Sequence, residues 1–308
     1  EHGEWLYPED FLHVCYEVGW NYLIRGFEEK TLSKLLVAKK RIKTTNEHFQ
    51  KLAFEHPLYN GFMLHALINT GRNLEAEEQF KRCQSLIGQK PDDIMLQCYL
   101  HTSLIAYYTQ LGELGQPLDD VIAQCEKLFP IPELSLFHYR IYYVLKAYAR
   151  LLQWEKASEQ AKPKVLINLK NAYNELLRAS SQPYTMHRLV IKAAIGRIEK
   201  RYRKAKRLLR RAERHASRVD APWAYYEIMC ERARINSALK QNDEARHHAR
   251  MAFSCARSQG WLNRLRKLSN DFDQMNSLKT STSTNSSKEA TGSLNFRSLR
   301  TEKYFQSL

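Results

Sequence analysis

Apolar residues recur at intervals of three and four along almost the whole of this 308-residue chain, and prolines interrupt the pattern at spaced points. Such spacing marks amphipathic helices, because a helix brings the same face round every 3.6 residues. Phe11, Val14, Cys15, Val18 and Tyr22 form one stripe after Pro8, and Leu32, Leu35, Leu36 and Ala38 form a second within 29–43. From there the spacing predicts paired helices over 57–70 and 74–87, 91–110 and 117–129, 133–153 and 154–181 (bent at Pro163), 184–199 and 202–218, and 223–239 and 243–260. A last helix is predicted over 261–275. Pro57, Pro91, Pro132, Pro183 and Pro222 open helices at separations of 34, 41, 51 and 39 residues. That rhythm implies a repeat array: one hairpin cannot bury its apolar face alone, so neighbours must stack. Eleven glycines and nine prolines are too few for the turns of an all-β fold.

The hairpin turns share a local grammar. LINTGRNLEA (67–76) sets a glycine at the turn and a small Ala76 where the second helix approaches the first, with Phe80 four residues later. LQWEKA (152–157), GRIEKRYRKA (196–205) and ALKQNDEA (238–245) repeat the bulky-then-alanine pattern. Small residues let helix axes approach, and the large neighbour fills the gap. On these residues the chain resembles the tetratricopeptide-repeat family over 46–276, although unit lengths vary and no unit carries the full motif. The resemblance implies an all-α, right-handed α-solenoid of irregular tetratricopeptide-like hairpins with a C-terminal capping helix. The expected organisation is an N-terminal helical pair (1–45), the array (46–276) and a Ser/Thr-rich linker or tail (277–308), in which Phe296, Tyr304 and Phe305 could begin a further helix.

The last hairpin, WAYYEIMCERAR (223–234) followed by DEAR (243–246) and ARSQGW (256–261), is similar to the end of irregular helical arrays in large bacterial ATPase and kinase signalling proteins. In those proteins a Ser/Thr-rich linker follows the array, as SLKTSTSTNSSKEATGS (277–293) does here. The resemblance implies a regulatory segment of a larger cytoplasmic protein, and a chain starting at Glu1 fits an excised piece of one.

Catalysis needs a positioned nucleophile, acid–base group or metal. The sequence contains no GxGxxG, GxxxxGK[ST], HExxH or GxSxG. Cys15, Cys83, Cys98, Cys125, Cys230 and Cys255 lie far apart without a CxxC pair, as reduced core cysteines do. His247 and His248 are adjacent on a helix, so their rings diverge and read as solvated; His65, His101, His138 and His187 stand singly within apolar patterns. Asp119 and Asp120 suit a helix N-terminus. No apolar run reaches membrane length. The expectation is a cytoplasmic binding scaffold with no enzyme activity, cofactor, metal or membrane partner.

Charge is the one compositional anomaly. From Arg188 to Arg218 thirteen Lys or Arg face only Glu199 and Glu213, a net +11 within a chain total of +15. Arg203, Arg207, Arg210 and Arg214 fall along one side of the helix, and Lys204, Arg211 and Arg218 along another. Three readings compete: a solvated face, though such faces usually mix signs; a surface for an acidic protein or an acidic segment of the parent protein; or a phosphate-binding face for nucleic acid, which would be strongly salt-dependent but lacks exposed aromatics for stacking. The aromatic clusters raise a second question. Tyr107, Tyr142, Tyr143 and Tyr226 either fill the core or line a concave groove as anchors for a peptide or helix.

Overall fold

The computed structural model describes residues 7–179 and 181–277. The expected tail, 277–308 with Phe296, Tyr304 and Phe305, lies outside the described residues except for its first position. Among the described residues the chain is all-helical, with no strand: α1 (Pro8–Arg25), α2 (Glu28–Ile42), α3 (Glu47–Glu55), α4 (Pro57–Thr70), α5 (Asn73–Gln89), α6 (Ile94–Leu111), α7 (Gln116–Leu128), α8 (Ile141–Lys156), α9 (Lys162–Ala179), α10 (Thr185–Ile198), α11 (Tyr202–Val219), α12 (Pro222–Ala238), α13 (Asn242–Ser258) and α14 (Leu262–Ser277). The compact unit described below ends at Phe272.

Periodicity located most helices to within a residue or two, and the departures have local causes. Pro91 is followed by a turn, and α6 starts at Ile94 because Asp93 caps it, its Oδ1 accepting from Leu96 N at 2.9 Å. The stretch expected as helix from 133 begins instead with 3-10 turns at Pro132–Leu134 and Phe137–Arg140. Arg140 Nε donates to Ser135 O at 3.0 Å, and Tyr143 shares a hydrogen bond with Ser135 Oγ, which ties these turns to the first turn of α8. Pro163 does not bend a helix: α8 ends at Lys156, and Pro163 is the second residue of α9. A proline loses nothing there, since first-turn N–H groups have no intrahelical acceptor. The nine-residue α3 escapes the pattern because only Ala53 is buried in it.

The two helices of each hairpin differ in burial. In α4 every residue from Tyr59 to Thr70 is buried, and α6 and α12 are buried on nearly all sides. A helix apolar all round is one enclosed by neighbours. The second helices α5, α7, α11 and α13 bury a single stripe. α4 packs on α6, α6 on α8, α8 on α10 and α10 on α12, while α1 touches both α4 and α12, so this series of neighbours closes on itself. Arg25 at the end of α1 reaches Asp220 just before α12, at 3.2 Å to the carboxylate and 3.0 Å to the carbonyl. Gly26 lies at the seam with φ +95°, and a Cβ there would stand 2.7 Å from Trp223 Cβ.

Candidate partner-binding surface

The helix α11 owes its form to a steep division of its residues. Ala205, Leu208, Leu209, Ala212 and Ala216 are buried against α10 and α12. Arg203, Lys204, Arg207, Arg210, Arg211, Arg214 and Arg218 are all exposed. The helix follows a turn at Lys200, which adopts φ 59°, and it opens with no capping side chain and no acidic residue in its first turn. An acid there would favour the helix dipole; Arg203 and Lys204 oppose it.

Nearby carboxylates are committed elsewhere. Glu199 holds Lys170 at 2.7 Å and also pairs with Arg201. Glu213 turns to Arg232 on α12 at 2.6 Å. Among the described residues no carboxylate pairs with any of the seven exposed cations. Desolvation first, then the charges of Arg218, Arg211, Arg214 and Arg188, holds the His215 imidazole below its ordinary pKa. The surface carries a shallow depression of about 670 Å³ bordered by Lys200, Arg203, Lys206 and Arg207. A smaller one of about 190 Å³ lies beside Lys170, Tyr173 and Lys192, and Arg201 and Lys204 border both.

The tyrosines do not form an open groove. Of the two alternatives, core or groove, the structure has the first: Tyr107, Tyr142, Tyr143 and Tyr226 are all buried and none is an exposed groove anchor. Tyr107 stacks on Phe80 at 4.3 Å, and Tyr142 on Phe129 at 5.1 Å. The Tyr143 hydroxyl lies 3.0 Å from Ser135 Oγ and donates to Phe129 O at 3.3 Å. These rings fill gaps between adjacent hairpins, where their large apolar faces are worth most. Tyr226 is different, because its cover is α14: Trp261 lies edge-on at 5.7 Å and the Arg264 guanidinium 5.2 Å from its ring centre.

That cover is part of a polar site that sequence reasoning did not find. Trp261, fully buried, donates from Nε1 to Glu28 Oε2 at 2.6 Å. Asn263 Nδ2 donates to Ile68 O at 2.8 Å and to Asn73 Oδ1 at 3.0 Å. Arg264 lies over Trp261, Tyr226 and Trp223 at 4.2, 5.2 and 5.6 Å, with Nη2 3.5 Å from Asn69 Oδ1. Burial pushes the Glu28 carboxyl up, against the opposing pull of Arg264 and Trp261. Burial, with Arg264 adding to it, pushes His65 and His187 down to about 3, so both imidazoles are neutral. Below this, Arg197 bridges Glu155 and Glu231, and Arg234 meets Glu231 at 3.7 Å and Asp271 at 3.4 Å.

The remaining reactive side chains are packed or paired. Five of the six free cysteines are buried and Cys255 is half-buried. His138 meets Glu17 at 3.2 Å, and Asp119, in the first turn of α7, pairs with Arg150. His247 is exposed, but His248 is half-buried, its Nδ1 without a partner, and burial lowers it to about 4, so only one of the pair is the solvated ring expected. Among the described residues no three His, Cys, Asp or Glu are grouped to hold a metal ion. No described helix is long and apolar enough to cross a membrane. No family model matches the chain, and no curated protein or solved structure matches it.

Proposed function

We propose that this chain is a non-catalytic scaffold that docks an acidic protein segment on the outer face of α11. The observation that carries the reading is the set of seven exposed, unpaired cations on one 18-residue helix. Like charges at helical spacing repel one another and weaken the helix that bears them. An acidic partner relieves that repulsion and gains from the long-range field that steers its approach. A protein segment suits the face better than a nucleic acid, because α11 offers no exposed ring on which bases could stack: Tyr202, its one aromatic, is half-buried. In this reading the hairpins form a right-handed solenoid of irregular tetratricopeptide-like units. The array would belong to a larger cytoplasmic signalling protein and pass partner occupancy along its stack to neighbouring domains.

The test is a titration with a Glu-rich peptide at 50 and 300 mM salt, run beside a random DNA duplex. Peptide affinity is expected to fall at least tenfold between the two salts, and to be lost when Arg203, Arg207, Arg210 and Arg214 are all changed to Glu. The His215 imidazole reports from within the patch: a bound polyanion cancels the charges that depress it, so its NMR titration moves to higher pH. Unchanged peptide affinity in the quadruple variant defeats the docking reading, and tighter retention of the duplex than of the peptide transfers the face to nucleic acid.

A further inference from the structure

The seat of α14 has the composition of a docked interface and not of a core. α4, against which it lies, is buried at nearly every position. Among the described side chains of α14, 262–272, one apolar residue, Leu268, is buried; Leu265 and Phe272 are half-buried, and Leu262 is exposed. Its hold is otherwise polar: Asn263 on Ile68 O and Asn73, Arg264 on Asn69 and three aromatic rings, and Asp271 on Arg234. The hold is also incomplete, since Arg264 Nη1 and Asn69 Nδ2 are buried without a hydrogen-bond partner. Unpaired buried polar groups favour opening, because water can then satisfy them. A segment with few buried apolar contacts opens well before the whole domain does. The anchor at its N-terminal end is much firmer: Trp261 is fully buried and bonded to Glu28, and Gly260 just before it takes φ +70°.

We infer that the face built by the C-terminal end of α4 (His65, Asn69) and the first turns of α12 (Trp223, Tyr226) is a helix-binding surface whose resident occupant is α14, seated from Asn263 to Asp271 and able to swing out beyond Trp261. The partner it fits is a helix that carries a guanidinium for the Trp223–Tyr226–Trp261 box and, seven residues later, a carboxylate for Arg234. Seven residues are two helical turns, so both groups project from one side of the helix. This inference concerns a different surface from the basic face of α11 and stands or falls apart from it.

Two measurements test it. In the unaltered full chain, amide exchange within 262–272 is expected to run at least tenfold faster than in 60–68 and 224–236; equal protection of the three segments overturns the inference. In a full-length variant carrying Arg264→Glu and Leu265→Pro, protection of 262–272 is expected to vanish while cooperative unfolding of the rest persists. A labelled peptide of residues 262–272 should then bind that variant at least tenfold more tightly than the unaltered chain, and the same peptide with Arg264→Ala should not bind. Loss of cooperative folding in the variant makes α14 part of the core and overturns the inference. So does a folded variant that ignores the peptide, or equal binding of the peptide to both chains.

Discussion

The outer face of α11 and the seat of α14 use the same residue types in opposite ways. On α11, arginines and lysines stand in water with no anionic partner, so their electrostatics reach outward and weaken with salt. At α14, Arg264 lies among aromatic rings and reaches Asn69, 195 residues away in the chain, while Arg234 is paired with the carboxylates of Glu231 and Asp271. The first arrangement costs local stability and offers recognition. The second supplies specificity of packing. Location, and not residue type, separates a docking charge from a structural one.

That contrast can be broken first with acid. His65 and His187 titrate near 3 in the folded chain against an ordinary 6.5, so below pH 6.5 the unfolded chain takes up protons that the folded chain refuses. Stability is therefore full above pH 6.5 and falls as pH drops toward 3, with the buried His65 of α4 and His187 of α10 as the source. Glu28 runs the other way: its carboxyl is raised by burial, so it costs stability as pH rises above the ordinary carboxylate range. Urea midpoints from pH 7 to pH 4 should show the decline, and a flat profile would dissociate the buried histidines from folding.

A smaller effect comes from removing the firm anchor. Trp261→Ala should destabilise the chain by about 3–5 kcal/mol, the usual cost of deleting a fully buried indole, with the orphaned Glu28 carboxyl oxygen adding to it. Chemical denaturation measures this directly; a loss below about 1 kcal/mol would mean that the seam contributes little to the fold. The smallest effect is expected on α11. Reversing Arg203, Arg207, Arg210 and Arg214 to Glu should shift stability by no more than about 0.5 kcal/mol per site, because exposed substitutions away from packed features rarely do more. Far-UV circular dichroism should be unchanged. A large loss there would place the basic face among the structural elements and remove the contrast.

The sequence carried the helices with unusual clarity. Pro57–Thr70 and the start of α11 at Tyr202 fall where periodicity puts them, because helix-forming signals are local. The exposure of the seven basic residues was equally legible: a single apolar stripe left them no face but the outer one. The same reasoning misplaced Pro163, since a proline within an apolar stretch can bend a helix or begin one, and only the chain's path over 157–161 decides between them. It left Tyr107, Tyr142, Tyr143 and Tyr226 between core and groove, because aromatic spacing is identical in both.

By itself, then, the sequence determined an all-helical chain, its hairpin order and a strongly basic outward helix, all of which follow from 3.6-residue periodicity and charge placement. Only the tertiary structure decided that α1 meets α12, that Tyr226 is roofed by Arg264, and that Trp261 bonds Glu28 across 233 positions. Such contacts depend on how helices stack in space, and no local pattern encodes which distant side chains the stacking brings together.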